Sequence, residues 1–270
     1  MRLGIVGRGY WGDTYARTLR GMGIDFTQYG RDWERQDGLI IACKSEFHFE
    51  VAQKALSLGI PALIEKPVTL DEREAWGLCG YGGIAFAGHT RLYSPAWRRF
   101  KRPANKVVAY AGGVNETNPD PLWNWIPHLA AMALDVGARD VDFRVSKEWQ
   151  YLRFIADGRE FWDVETIPSP LEVLVGEFVE AIRKGEPDNS GLRLGAKTIA
   201  ITKALRGLCS LEAHVDLDSR GIARGCRALD EEPRGAGTCV RRDPAGGSED
   251  QPEVARPGNG NHQRDVHDQR

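Results

Sequence analysis

Arg2-Leu-Gly-Ile-Val-Gly-Arg-Gly-Tyr-Trp-Gly12 is the stretch whose reading decides the fold. Leu3, Ile5 and Val6 read as a short buried strand, and Gly7, Gly9 and Gly12 follow at G-x-G-x-x-G spacing. Asp13 to Leu19 continues as a helix. A strand that turns sharply into a helix presents unpaired N–H groups and the positive end of the helix dipole, where a pyrophosphate sits well. In this reading Gly7 makes the tight turn, Gly9 lets phosphates approach the backbone, and Gly12 lets helix and strand pack closely. Arg8, Tyr10 and Trp11 complete the loop as candidate cofactor-binding residues.

The pattern that follows is consistent with this start. Asp25 to Tyr29 alternates as a second strand would, and Gly38 to Ala42 is the apolar run of a buried parallel strand. Phe49 to Leu58 gathers Val51, Ala52, Ala55 and Leu56 on one helical face before Gly59. Ala62 to Glu65, Leu70 to Cys79 and Ile84 to Ala87 read as strand, helix and strand. This alternation predicts an α/β, doubly wound parallel sheet over residues 1–89, of the Rossmann type.

From residue 90 the order changes. Lys106 to Tyr110 is a strand, and Gly112 to Pro121 is a loop rich in Gly, Asn and Pro. Leu122 to Val136 is a helix, and strand-like segments follow at 141–148, 150–156 and 159–167. Asp157-Gly158 is a strong hairpin signal between the last two. Helices over 170–184 and 192–211 complete a smaller α+β domain, 90–213, with a largely antiparallel sheet. The face of such a sheet left bare by helices suits pairing with a second subunit, so a homo-oligomer is expected. Beyond His214, Arg, Gly, Asp, Pro, Gln and Asn dominate, and residues 214–270 read as a disordered tail.

Composition narrows the function classes. A net charge of -2 gives no general case for nucleic acid or an anionic membrane as partner. The five cysteines, Cys43, Cys79, Cys209, Cys226 and Cys239, are scattered with no metal-ligand rhythm, as in a cytoplasmic protein with reduced thiols. No apolar run reaches the length of a membrane span, and Met1 leads straight into the first strand with no signal peptide.

Three stretches carry a resemblance. They are the glycine loop, Ile64-Glu65-Lys66-Pro67 with His48 before it, and Trp123-Asn-Trp-Ile-Pro-His128. In order and spacing they resemble the Gfo/Idh/MocA family of NAD(P)-dependent sugar and polyol oxidoreductases. His89-Thr-Arg-Leu-Tyr-Ser-Pro95 looks like that family's segment crossing between domains, and the likeness runs over residues 1 to 212. It implies hydride transfer between NAD(P) and a carbinol carbon of a sugar, nucleotide sugar or polyol.

The chemistry of the residues agrees with that implication. Oxidising a secondary alcohol requires a base for the hydroxyl proton. His128 titrates near neutrality and fits that role. Lys66, at the C-terminal end of a parallel strand, would hold and polarise the substrate oxygen. The resemblance implies Glu65, Cys43 and His48 near the cofactor, and Arg91, Tyr93 and Asn124 near the substrate. Trp123 and Trp125 would form an apolar wall for a sugar ring. Asn124 stands where the family's helix carries Asp, and it cannot take a proton. A non-catalytic dinucleotide-binding subunit or sensor of the same fold is therefore the alternative. At the end of the second strand, Gly30 takes the place of the acid that binds a ribose hydroxyl in NAD sites. Arg31 beside it would receive a 2′-phosphate, which favours NADP over NAD, whereas Asp32 would serve NAD in a register two residues on.

Overall fold

A computed structural model describes residues 1–113, 120–208 and 210–229. Strand β1 (Arg2–Val6), helix α1 (Tyr10–Gly21), β2 (Asp25–Tyr29), β3 (Gly38–Ile41), α2 (His48–Ser57), β4 (Ala62–Ile64), α3 (Glu72–Cys79) and β5 (Ala85–Ala87) alternate as expected. They build a five-stranded sheet in the order β2-β1-β3-β4-β5, parallel throughout. β3 and β4 are buried along their whole length, which is why they read as unbroken apolar runs.

The chain then makes a short 3₁₀ turn (Thr90–Tyr93) and a helix absent from the sequence reading, α4 (Pro95–Phe100). The Ser94 hydroxyl accepts from the Trp97 N–H to start α4. Next come β6 (Lys106–Gly112), α5 (Pro121–Asp135), β7 (Asp140–Ser146), β8 (Leu152–Ala156), β9 (Arg159–Trp162), α6 (Pro170–Lys184), α7 (Ser190–Gly207), β10 (Glu212–Leu217) and β11 (Ala223–Ala228). The second sheet runs β11-β10-β7-β6-β8-β9. Its pairs are antiparallel except β6 with β7, which α5 connects as a crossover. Asp157 and Gly158 both take positive φ, 45° and 78°, in the hairpin between β8 and β9.

Two expectations about boundaries change. Helices α6 and α7 were assigned to the second domain, yet both return to the first sheet. Leu174, Val175 and Phe178 of α6 pack with Leu3, Ile5, Tyr15 and Leu19 on one face. Leu192, Ala196 and Ile199 of α7 join Val51, Leu56, Ala75 and Leu78 of α2 and α3 on the other. Further along α7, Ile201 and Leu205 enter the core between α5 and the second sheet, so this helix is shared by both layers. The expected tail also begins too early. β10 and β11 occupy residues beyond His214, and β10 buries Ala213, Val215 and Leu217 against β7. Residues 114–119, Cys209 and residues 230–270, where most of the expected disordered tail falls, lie outside the described residues. No helix among the described residues is long and apolar enough to cross a membrane.

Candidate functional site

The glycine loop joins β1 to α1. Gly7 has φ 135°, and a Cβ on it would lie 2.4 Å from the Ala42 carbonyl oxygen. A Cβ on Gly12 would lie 2.3 Å from the Gly7 oxygen, so helix and turn touch through bare backbone. Gly9 differs: no atom lies within 4 Å of its Cβ position, and no side chain caps the helix that starts after it. Open space in front of an uncapped helix N-terminus fits the pyrophosphate of a dinucleotide. Gln28 braces the loop, donating to the Gly7 oxygen at 2.9 Å and to Asp13 Oδ1 at 3.0 Å. Arg8, Tyr10 and Trp11 are exposed around it, the two rings edge-to-face at 5.6 Å.

Arg31 follows the end of β2, its guanidinium 4.1 Å above the Phe47 ring and ion-paired with Glu50 at 3.2 Å. Cys43 is half-buried at the end of β3, where burial raises its thiol pKa. His48 is buried and its ring spans two main-chain oxygens, Pro67 O at 2.8 Å from Nδ1 and Cys43 O at 3.0 Å from Nε2. It ties the end of β3 to the segment after β4. Glu65 turns inward at 3% exposure, accepting from the Tyr15 hydroxyl at 2.6 Å and the Lys66 N–H at 3.0 Å. Its carboxylate fastens α1 to β4, and burial raises its pKa. Both residues therefore brace the C-terminal edge of the first sheet from beneath.

Lys66 stands just past the C-terminal end of β4. Its Nζ donates to the main-chain oxygen of Asn124 at 2.9 Å and to Asn124 Oδ1 at 3.2 Å. Asp120 positions that partner helix by accepting from the N–H groups of Leu122 and Trp123, and Pro121 occupies its first turn. Pro127 has no N–H to give the preceding turn, so the helix ladder is open beside Asn124. One turn beyond Asn124, His128 is 6% exposed, and its Nδ1 meets no hydrogen-bonding partner among the described residues. Burial, then the charges of Lys66 and Arg91, hold its pKa well below the ordinary histidine value. Burial also lowers the Lys66 ammonium to about 8, Glu65 opposing and Arg91 adding to the shift.

Arg91 is brought to this cluster and ion-paired with Asp163, just past β9. Trp125 lies beside His128, its ring centroid 6.3 Å from that of the histidine and its Nε1 donating to the Gly113 oxygen at 2.8 Å. Trp123 and Tyr93 each pack against a core cluster of the first sheet. Trp123 packs against the first-sheet core, with the Arg206 guanidinium 5.8 Å from its ring. Tyr93 packs against Leu171, Phe178 and their neighbours beneath Arg98.

No protein-family model matches the sequence, and neither does any curated protein. Solved structures do match. A UDP-N-acetylglucosamine 3-dehydrogenase from Acidithiobacillus ferrooxidans superposes with a TM-score of 0.61 at 17% identity, over 77% of this chain and 97% of that one. A Gfo/Idh/MocA family oxidoreductase from Vibrio cholerae gives 0.60 at 12% identity, over 76% and 96%. The chain shares its fold with these two proteins. GenD2 from gentamicin A biosynthesis, solved in complex with NAD, gives 0.60 at 13% identity over 81% of this chain and 96% of that one. At these identities the likeness is one of fold.

On this fold, two residues join the cluster that the motif reading left out. His89 lies 6.4 Å from His128, ring centre to ring centre, and is buried with both nitrogens unpartnered among the described residues. Asp163 fixes Arg91. A histidine and an arginine two residues apart at a strand end were a usable signal for the first. Nothing local marked the second.

Proposed function

We propose that the chain is an NAD(P)-dependent oxidoreductase acting on a carbinol carbon of a sugar, nucleotide sugar or polyol. The observation that carries this reading is Lys66 Nζ held by both oxygens of Asn124, one helical turn from a buried, neutral His128. When bound, the nicotinamide supplies the hydride acceptor or donor. His128 takes the hydroxyl proton in oxidation and returns it in reduction, since a neutral imidazole can accept it directly. Lys66, still largely ammonium at neutral pH, donates to the substrate oxygen and stabilises the charge that grows on it. Arg91, set by Asp163, adds a second cation beside that oxygen. The glycine loop holds the pyrophosphate, and Arg31 receives a 2′-phosphate, so NADP is the proposed partner of choice.

Support for a sugar-like substrate comes from the nature of the matching solved proteins, a nucleotide-sugar dehydrogenase among them. The bare outer face of the second sheet, with Tyr110, Arg144, Arg153 and Trp162, is where a second copy would pair.

The test is fluorescence titration with NADH and NADPH, followed by turnover assays across a panel of nucleotide sugars and polyols. Binding with turnover that Lys66→Ala and His128→Ala abolish is the expected result. The specific observation for a non-catalytic binder is Asn124, an amide engaged with Lys66 where an acid would serve proton transfer. Binding without turnover anywhere on the panel decides for that second reading, and binding of neither cofactor removes both.

A further inference from the structure

His89 follows β5, where the chain leaves the first sheet. It is 2% exposed, and neither ring nitrogen meets a hydrogen-bonding partner among the described residues. Leaving a buried polar group unsatisfied is costly, so a leucine would serve packing better. The ring has two distinct neighbours. On one side is His128, edge-to-face at 6.4 Å between centres, whose Nδ1 is likewise unpartnered. That spacing is too wide for a direct hydrogen bond and suits one bridging water. On the other side His89 lines a cleft of about 670 Å³ with Tyr93, Asp135, Glu177 and Asp188. Lys66, Asn124 and His128 are not part of that cleft's wall.

We propose that His89 is a proton-relay residue, carrying the proton that His128 takes from substrate out to the water of this second cleft. The inference rests on the oxidoreductase reading above. In that reading a substrate and a dinucleotide would together cover the mouth in front of Lys66, and the proton would need a second exit. In oxidation the substrate O–H bond breaks towards His128 while the C–H electron pair leaves as hydride to NAD(P)⁺. The imidazolium of His128 then gives its proton through the bridging water to one nitrogen of His89. His89 releases the proton from its other nitrogen to cleft water, where Asp135, Glu177 and Asp188 are the nearby acceptors. Both rings end neutral with their tautomers exchanged, and back-transfer of a proton between turnovers or a flip of each ring resets them. Burial and the Lys66 charge hold His89 down at about 3, so it carries no resting charge beside the lysine.

The experiment is chemical rescue of His89→Ala, with His89→Gln as a second variant that retains polar volume. Both should bind NAD(P)H as the parent does and lose turnover by about tenfold or more, within the range of acid–base catalysis. Free imidazole should restore the alanine variant in proportion to its concentration. 1-Methylimidazole should not, because it cannot accept at one nitrogen and release from the other. Parent-like turnover in both variants overturns the relay, as does a loss that neither compound restores or that both restore equally. If the parent binds cofactor but turns over nothing, the oxidoreductase reading fails and the relay falls with it. Turnover by the parent with unimpaired variants removes the relay alone.

Discussion

The ammonium of Lys66 donates to both oxygens of Asn124, at 2.9 and 3.2 Å. This contact joins the end of β4 to α5 and so couples the first sheet to the helix that carries His128. The partner is a neutral amide, which offers less to a buried cation than a carboxylate would. Burial therefore prevails and the lysine falls to about 8.

The pH dependence of kcat/KM follows from that value. The polarising group is the ammonium, present below its folded pKa and lost as pH rises, so activity should decline through about pH 8. His128 is displaced downward, so the rising limb of the oxidation profile should lie below the ordinary histidine value of 6.5. Asn124→Asp gives Lys66 a charged partner and should move the falling limb upward. Lys66→Ala should lower kcat/KM by about a hundredfold or more, the scale of losing a preorganised donor, and leave NADPH affinity unchanged. A profile flat from pH 7 to 10 in the parent would remove Lys66 from the chemistry.

The glycine loop makes a prediction that separates folding from binding. Gly9 faces open space, whereas a Cβ on Gly12 would meet the Gly7 oxygen at 2.3 Å. Gly9→Ala should keep the parent Tm and weaken binding of both dinucleotides. Gly12→Ala should lower stability by about 1–3 kcal/mol, the usual consequence of overpacking. Thermal melts with and without NADPH distinguish the two, and equal behaviour of the two variants would refute this division of roles.

The first sheet was legible because its signals are local: a strand, a glycine spacing and a helix within twenty residues. The hairpin at Asp157-Gly158 was legible for the same reason. β10 and β11 were not. β11 is a largely exposed edge strand with no apolar period, and β10 is held by pairing with β7, some seventy residues earlier in the chain. Composition carries no trace of that partner. The site divides similarly. Lys66, Asn124, His128 and Arg91 lie on motifs and do converge, whereas Glu65 turns inward to Tyr15 and Tyr93 turns away. Which way a residue at a strand end points is set by the helix behind it, and here those helices are α1 and α6.

Arg31 gives a test of cofactor choice. Its pairing with Glu50 is exposed on both sides and so holds the guanidinium only weakly. Arg31→Ala should weaken NADPH about tenfold, the worth of a charge-assisted contact to phosphate, and leave NADH unchanged. Glu50→Gln should tighten NADPH about twofold by freeing the guanidinium from a surface pair. Unaltered NADPH affinity in Arg31→Ala would place the 2′-phosphate elsewhere.

His214 tests whether the last strands belong to the folded unit. Its Nδ1 lies 2.7 Å from Asp142 Oδ1 and 3.5 Å from Asp140 Oδ1, and its Nε2 lies 3.2 Å from Asp216 Oδ1. Across the ladder β11 sets Arg227 opposite it. Burial alone would depress its pKa, but the hydrogen bonds to Asp142 and Asp216 outweigh burial and the net shift is upward. A histidine raised in the folded state contributes stability that is full below its unfolded pKa and is lost as pH rises through the folded value. The parent should therefore lose Tm between pH 6 and pH 8 more steeply than His214→Gln does, and the two curves should converge at the upper end apart from a constant offset. Parallel curves across that window would mean that His214 does not hold its proton on β10, and that this strand is not paired with β7 as described.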